Sequence, residues 1–329
     1  MRLWLVFLGL LPILLVGSGP GAGANTPALP PQNGLIAVHG NDGLYLVDPA
    51  SGSAVLVSGT EASEDEVWSP DGTRLALTLW GQDGETPAVY TMNPNGSDRA
   101  LVARNATSPS WSPDGDSLVV VRQGFSELGE GGTQLVLAAA DGSQERLLLP
   151  KAGAPPTFLS SPAWSPDGNV IAFVGEDGRI ELVTQDGEKL DGFEANVSKM
   201  GLSWSPDSSR LAFNRYLESK GESHDVVVVL DIATGKETVL SGEQQGAQAP
   251  EWSPEGDQIA FLSMRLRETQ PATTGHSCGG EPYDTHLWSM RPDGTKAHRL
   301  VKGEFYSRPS WGLAAEVASA PASVPSETR

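Results

Sequence analysis

Trp-Ser-Pro-Asp-Gly at residues 68–72 is the first copy of a motif that recurs along the chain and decides its fold. It returns unchanged at 111–115 and 164–168, as Trp-Ser-Pro-Asp-Ser at 204–208 and as Trp-Ser-Pro-Glu-Gly at 252–256. A shortened copy, Pro-Ser-Trp-Gly, stands at 309–312, so six of the nine tryptophans occupy this one slot. The intervals of 40 to 59 residues between them indicate tandem structural repeats.

Each copy is followed by the same pattern of short apolar runs. Leu-Ala-Leu at 75–77 and Ile-Ala-Phe at 171–173 and 259–261 come directly after the turn. Two further apolar runs follow, separated by Asn-Gly or Asp-Gly pairs, which are typical of tight hairpins. Four short strands per unit of about 40 residues predict the blade of a β-propeller, an all-β fold.

The repeated unit resembles the WD40-like (PD40) repeat of the TolB-type propeller, which also occurs in the propellers of prolyl-oligopeptidase-like proteins. The resemblance covers about residues 26–312. It implies a six-bladed propeller and a non-catalytic scaffold that binds a protein or peptide in the bacterial envelope. TolB itself carries a βαβ domain before its propeller, so the resemblance is to the propeller alone. We predict no hydrolase domain after the repeats, so the peptidase branch of the resemblance is not expected to apply.

Ring closure follows from the strand count. Six sets of second, third and fourth strands are predicted, and the first set, at 35–57, has no good inner strand before it. The strand around Trp311 has no strand after it, so we expect it to join the N-terminal three in one blade, which protects the blade edges. The alternative is that the segment at 26–32, which contains Leu29 and aligns with 161–167, supplies the inner strand of this blade. Residues 313–329, rich in Ala, Ser and Pro, are expected to be disordered.

The first 24 residues are predicted to be a signal peptide. Arg2 gives a positive start, residues 3–16 are apolar, and Ala-Gly-Ala at 22–24 suits a signal peptidase. A helix of that apolar run would rise about 21 Å, short of the roughly 30 Å hydrocarbon core. We therefore expect an exported protein, periplasmic or extracellular, with an uncleaved membrane anchor as the alternative.

Composition excludes several classes of function. The chain has 41 acidic and 22 basic residues, a formal charge of −19, and no basic stripe, so nucleic acid is not an expected partner. Its single cysteine, Cys278, excludes an intrachain disulfide and any multi-thiolate metal site.

The motif residues themselves are interpreted as structural. Asp71, Asp114, Asp167 and Asp207 invite a reading as metal ligands or acid–base groups. However, Pro followed by Asp and Gly is the chemistry of a turn, which we favour. The six repeated tryptophans are likewise expected to pack between blades rather than to form a platform for sugars.

Loop lengths point to one face of the propeller. In a four-stranded blade, the first–second and third–fourth turns share one face, here the short-turn face. The second–third loops and the crossings between blades share the other, here the long-loop face. All the long insertions, at 123–132, 151–160, 216–224, 242–248 and 267–285, map to the latter, where we expect binding rather than neutral drift of solvent loops.

The starts of the inner strands on the long-loop face should surround the ring axis. They supply a partner-binding set with an acidic sector: Glu64, Asp65, Glu66, Ser108, Ser160, Lys199, Gln248, Tyr306 and Arg308. Such a mouth suits a peptide segment or a basic group of a partner. The alternative is an ordinary water-filled tunnel mouth.

The longest insertion holds the one cluster that suggests a metal. His276, Cys278, Asp284 and His286 offer nitrogen, sulfur and oxygen ligands that suit zinc or copper. Their spacing matches no familiar site, and a bland exposed loop or a bridge from Cys278 to another chain are the alternatives. No cofactor is predicted, although the loop leaves room for a divalent cation.

Two classes of function remain at this stage. The first is a recognition scaffold, expected to be a monomer with a protein or peptide partner and no membrane span after signal cleavage. The second is a lyase or hydrolase acting on a glycan or small molecule, with a metal-assisted site at the tunnel mouth. The five histidines show no repeated placement, which favours the scaffold.

Overall fold

The computed structural model describes residues 33–81, 86–125, 131–151, 157–219, 222–240, 246–266 and 283–314. Within these ranges the chain forms six antiparallel sheets of four strands each, arranged as a ring. The predicted all-β, six-bladed propeller is therefore confirmed. The same ranges contain no helix that is long and apolar enough to cross a membrane.

The first three blades are built as follows. Blade 1 contains β1 (Asn33–Gly40), β2 (Gly43–Val47) and β3 (Ala54–Leu56). Blade 2 contains β4 (Ser63–Trp68), β5 (Leu75–Leu79), β6 (Ala88–Met92) and β7 (Ala100–Arg104). Blade 3 contains β8 (Ala106–Trp111), β9 (Ser117–Phe125), β10 (Gly131–Ala139) and β11 (Glu145–Leu149).

The remaining blades repeat this order from the ring axis outward. Blade 4 contains β12 (Ser160–Trp164), β13 (Ile171–Val174), β14 (Ile180–Val183) and β15 (Lys189–Phe193). Blade 5 contains β16 (Val197–Trp204), β17 (Arg210–Ser219), β18 (Glu222–Asp231) and β19 (Glu237–Val239). Blade 6 contains β20 (Ala247–Trp252), β21 (Ile259–Leu266), β22 (Tyr283–Met290) and β23 (His298–Val301), and β24 (Ser310–Leu313) follows.

The second strand of each blade is apolar on both faces because a neighbouring blade covers each face. In β17, Leu211 and Phe213 pack in the core between blades 4 and 5. Ala212, which points the other way, packs in the core between blades 5 and 6. Consecutive apolar residues therefore serve two different cores, which explains why these strands do not alternate with polar residues.

The ring closes through the two ends of the described chain. β24 pairs with β1, so the sheet order in blade 1 is β24, β1, β2, β3. Trp311 lies opposite Ile36, and its indole Nε1 donates to the carbonyl of Gly34 at 3.1 Å. Closure by Trp311 is thus as predicted. The rival Leu29, the signal segment 1–24 and residues 315–329 lie outside the described ranges.

The repeated motif forms a turn in which the aspartate is a structural acceptor. In blade 3, Ser112 Oγ donates to Asp114 Oδ1 at 2.5 Å, and the amide of Asp116 donates to the same oxygen at 3.0 Å. Gly115 closes the turn with a φ of 76°. These hydrogen bonds hold the pKa of Asp114 below its usual range. The turn interpretation of the motif aspartates is confirmed.

If Trp311 closes the ring, replacing it should be costly. Trp311→Ala removes a buried indole and should lower the free energy of unfolding by about 3–5 kcal/mol. Trp80 is 45% exposed, so Trp80→Ala is the matched control, with an expected loss under about 1 kcal/mol. Equilibrium urea unfolding measures both. Equal, small losses would show that closure does not depend on β24.

The turn aspartates predict how stability depends on pH. Their folded pKa lies below the unfolded value, so the stability they add is present above about pH 4 and is lost as the pH falls through the folded pKa. Asp114→Asn/Asp207→Asn should be less stable than wild type at pH 7, and the difference should disappear near pH 2. Burial raises the pKa of Asp65 and Asp225, so these two groups lower the stability as the pH rises. Wild type and variant both contain them, so their contribution cancels when the two proteins are compared. A difference that persists at pH 2 would contradict the assignment.

Candidate functional site

A cavity of about 240 Å³ opens on the ring axis at the long-loop face, and we call it the mouth. Its wall combines the starts of the inner strands of blades 2 to 5 with the segment that precedes β24. Among the residues selected from the sequence, it brings together Glu64, Asp65, Glu66, Ser108, Tyr306 and Arg308.

The other selected residues lie elsewhere. Ser160 lines a separate depression on the long-loop face, together with the exposed rings of Phe158 and Tyr216. Gln248 is half-buried on β20 opposite Leu262 and does not line the mouth. Lys199 lies on β16, but its side chain is outside the described part of the structure.

A bulge in the inner strands supplies part of the wall of the mouth. The residue three positions before the repeat tryptophan has a positive φ in five blades, and the pairing with the second strand shifts there. These residues are Asp65, Ser108, Ser161, Gly201 and Ala249, and Arg308 occupies the same position in blade 1. In blade 4 the bulge residue is therefore Ser161, directly after Ser160. In blade 6 it is Ala249, directly after Gln248.

Asp65 is held by the neighbouring blade. The backbone amide and the hydroxyl of Ser108 both donate to Asp65 Oδ2, at 3.2 and 3.1 Å. Burial raises the pKa of Asp65, the Ser108 hydroxyl lowers it, and nearby Glu66 raises it again, so the net shift is upward. This carboxylate is fixed in position and gains from any additional donor or cation in the mouth.

Glu66 is the centre of a buried polar network that the sequence did not reveal. Its Oε1 accepts from Ser63 Oγ at 2.6 Å and lies 3.0 Å from His39 Nδ1. Its Oε2 accepts from Ser307 Oγ at 3.4 Å, and that hydroxyl accepts from the amide of His39 at 2.9 Å. The network joins blades 1 and 2 to the segment before β24.

This network is not arranged as a nucleophilic triad. A catalytic serine bonds to the histidine nitrogen remote from the acid, so that the ring can take its proton. Here the hydroxyls of Ser63 and Ser307 donate to the acid itself, and Ser63 lies 3.4 Å from the same Nδ1 that faces Glu66. The geometry holds the wall of the mouth together and activates neither serine.

Arg308 separates the mouth from a second cavity on the short-turn face, because its side chain lines both. Its Nη1 donates to the carbonyl of Leu202 at 3.0 Å, and its Nε lies 3.8 Å from Glu251 Oε2. A Cβ on Gly201 would lie 2.7 Å from the Arg308 Cδ, so glycine is required for this packing. Burial raises the pKa of Glu251, and the Arg308 charge opposes that shift.

The rim beside blades 1 and 2 is acidic and aromatic. Tyr306 is 50% exposed, and burial raises its pKa with help from the carboxylates of Asp42, Glu304 and Glu64. The indole of Trp80 donates to Glu64 Oε2 at 3.0 Å. Negative charge next to exposed aromatic rings is an environment that favours ammonium and guanidinium groups.

The metal cluster predicted in the longest loop cannot be assembled from the described residues. His276 and Cys278 lie outside them, as does the side chain of Asp284. His286 is buried on β22, with Nδ1 2.9 Å from the carbonyl of Gly303. In the described ranges, no group of three or more His, Cys, Asp or Glu side chains is placed to hold a metal. The cluster stays a prediction.

Comparison with known proteins supports the fold. The structure of TolB from Acinetobacter baumannii superimposes with a TM-score of 0.62 at 20% identity, over 85% of this chain and 66% of that one. A candidate TolB from Agrobacterium tumefaciens gives a TM-score of 0.58 at 19% identity, over 85% of this chain and 97% of the other. The fold is that of a TolB-like propeller. No protein-family model matches the sequence.

Among curated proteins, the chain is 28% identical over 221 residues to a Bacillus subtilis protein named the uncharacterized peptidase YuxL. The match covers 64% of this chain and 31% of that protein, so the chain spans about a third of its relative. The two TolB structures share the propeller fold with this chain, and similarity at these levels does not show its activity.

The Glu66 network gives a prediction about the wall of the mouth. Glu66→Ala removes the acceptor that Ser63 and Ser307 share and the buried partner of His39 Nδ1, and should lower the free energy of unfolding by about 1–3 kcal/mol. Glu64→Ala, next to it on the exposed rim, should change it by less than about 0.5 kcal/mol. Urea unfolding compares the two, and an equal effect would refute the structural role of Glu66.

Proposed function

We propose that this protein is an exported, non-catalytic recognition scaffold of the bacterial envelope. It binds a protein or peptide partner through the long-loop face, and the mouth receives a basic side chain or amino group of that partner. The observation that carries this proposal is the run of three carboxylates, Glu64, Asp65 and Glu66, beside the exposed rings of Trp80 and Tyr306.

Charge balance supports a cationic ligand. Arg308 is the one basic residue among those that line the described mouth. Its Nη1 already donates to the carbonyl of Leu202, and its Nε lies 3.8 Å from a carboxylate oxygen of Glu251. The three mouth carboxylates therefore leave a negative potential that attracts cations from solution. Burial and hydrogen bonds fix Asp65 and Glu66, whereas Glu64 and Tyr306 are exposed at the rim, where a ligand can reach them.

Export is part of the proposal for two reasons. The first 24 residues have the pattern of a signal peptide. The structural likeness to TolB proteins of two bacteria agrees with a bacterial envelope protein.

The alternative is an enzyme, and one observation favours it. Besides its YuxL relative, the chain superimposes on a puromycin-hydrolysing peptidase of Mycobacterium tuberculosis with a TM-score of 0.52 at 15% identity. That likeness covers 80% of this chain but 41% of the peptidase, so more than half of the peptidase lies outside the match. The Ser63, Ser307 and His39 geometry supports the scaffold instead.

The test is a cross-linking pull-down from an envelope extract with the mature protein, followed by affinity measurement with the partner it identifies. Glu64→Gln/Tyr306→Ala should weaken binding at least tenfold, and raising the salt concentration should weaken binding of the wild type. Asp293→Asn, an exposed turn substitution on the short-turn face, is the control and should bind as wild type does.

A second variant lacking residues 268–284 asks whether the longest loop takes part. Partner capture that is equal for wild type and for the Glu64→Gln/Tyr306→Ala variant would overturn the role of the mouth. Amidase or esterase activity that co-purifies with the wild type and survives Asp293→Asn but not Ser63→Ala would favour the enzyme.

A further inference from the structure

A second cavity, of about 380 Å³, lies on the ring axis at the short-turn face. All six repeat tryptophans line it, and we call it the tryptophan funnel: Trp68, Trp111, Trp164, Trp204, Trp252 and Trp311. The prolines of the five complete motif turns line it as well. Its volume and its largely apolar wall are those of a site for a small ligand or a single side chain.

The turns around the tryptophan funnel carry a ring of negative charge. One exposed acidic residue follows each motif proline, namely Asp71, Asp114, Asp167, Asp207 and Glu255. The pKa of each of the four aspartates is held below its usual range, so these carboxylates stay ionised at all physiological pH values. The field at this entrance therefore favours cations.

The inner end of the tryptophan funnel contains an acceptor without a donor. Glu251 lines the cavity, and its Oε2 is buried with no hydrogen-bond partner among the described residues. The closest cation is Arg308, whose Nε is 3.8 Å away, beyond hydrogen-bond distance. A buried carboxylate oxygen left in this state gains free energy from any donor that reaches it.

The repeat indoles are also able to hold a cation. In the short-turn face of blade 5, the guanidinium of Arg210 lies 4.6 Å from the centroid of the Trp252 ring. This distance is within the range of a cation–π interaction. Six such indoles are among the residues that line the tryptophan funnel, together with Glu251.

We propose that the tryptophan funnel binds an ammonium group carried on a slender, unbranched chain, with the ammonium directed toward Glu251. The ring of carboxylates attracts the charge, the tryptophans and prolines enclose the methylene chain, and Glu251 accepts the hydrogen bond. A free aliphatic amine and the side chain of a partner's lysine present this same chemistry. The site is a different cavity from the mouth, and Arg308 and Val67 line both of them.

The experiment titrates the full chain with n-butylammonium and follows tryptophan fluorescence and saturation-transfer NMR. Butanoate, of the same length and opposite charge, is the matched control ligand. We expect saturable binding of butylammonium at least tenfold tighter than that of butanoate. Nα-acetyl-lysine methylamide is the third ligand, because it separates the two sources of the amine.

Variants locate the binding. Glu251→Gln keeps an amide oxygen for the Trp311 backbone and removes the charge, so binding should weaken at least tenfold. Pro166→Arg, on the exposed rim and away from the core, places a cation at the entrance and should also weaken it. Asp293→Asn, in an exposed turn, is the control and should leave the affinity unchanged. Glu64→Gln alters the mouth, which also attracts amines, and should weaken binding less than Pro166→Arg does. A thermal melt checks that each variant is folded.

Each outcome of this titration either supports or overturns the proposed amine site. Binding of butylammonium and of the lysine derivative, lost in Pro166→Arg, supports a funnel that accepts a lysine side chain. Binding of butylammonium alone, lost in the same variant, supports a site for a free amine. Absence of saturable binding, equal binding of butanoate, or a loss in Glu64→Gln as large as in Pro166→Arg overturns the proposal.

Discussion

Each blade is tied to the next through the tryptophan of the repeated motif, and the rest of the structure depends on this connection. Where the residue before the tryptophan is serine, its hydroxyl accepts from the backbone amide of the next blade's tryptophan, in the pairs Ser110–Trp164, Ser203–Trp252 and Ser310–Trp68. Where the residue before the tryptophan is Val67 or Ala163, its carbonyl oxygen accepts instead from the indole Nε1 of the next blade's tryptophan. Both arrangements fix the inner strands around the axis, and so set the size of the mouth and of the tryptophan funnel.

Local chemistry made the fold predictable. The Trp-Ser-Pro-Asp-Gly turn depends on residues within six positions of one another, and the apolar runs after it reflect burial between blades. Counting those runs was enough to assign β24 to blade 1. The Glu66 network was not predictable, because His39 and Ser307 are 268 residues apart and meet only when the ring is closed.

The composition of the mouth was partly hidden for another reason. The bulge position is occupied by Asp65, Ser108, Ser161, Gly201 and Ala249, which share no side-chain chemistry. A non-glycine residue with a positive φ leaves no consistent signal in a single sequence. The residues next to the bulge, such as Ser160 and Gln248, were therefore as plausible as the ones that line the cavity.

The segment before β24 has a consequence for how the protein is made. Tyr306, Ser307 and Arg308 supply part of the wall of the mouth, and Arg308 reaches Leu202 two blades away. Because a ribosome adds these residues after all six second strands, a nascent or prematurely terminated chain that lacks them has no complete mouth. Any function that depends on the mouth therefore requires the segment before β24 as well as the blades.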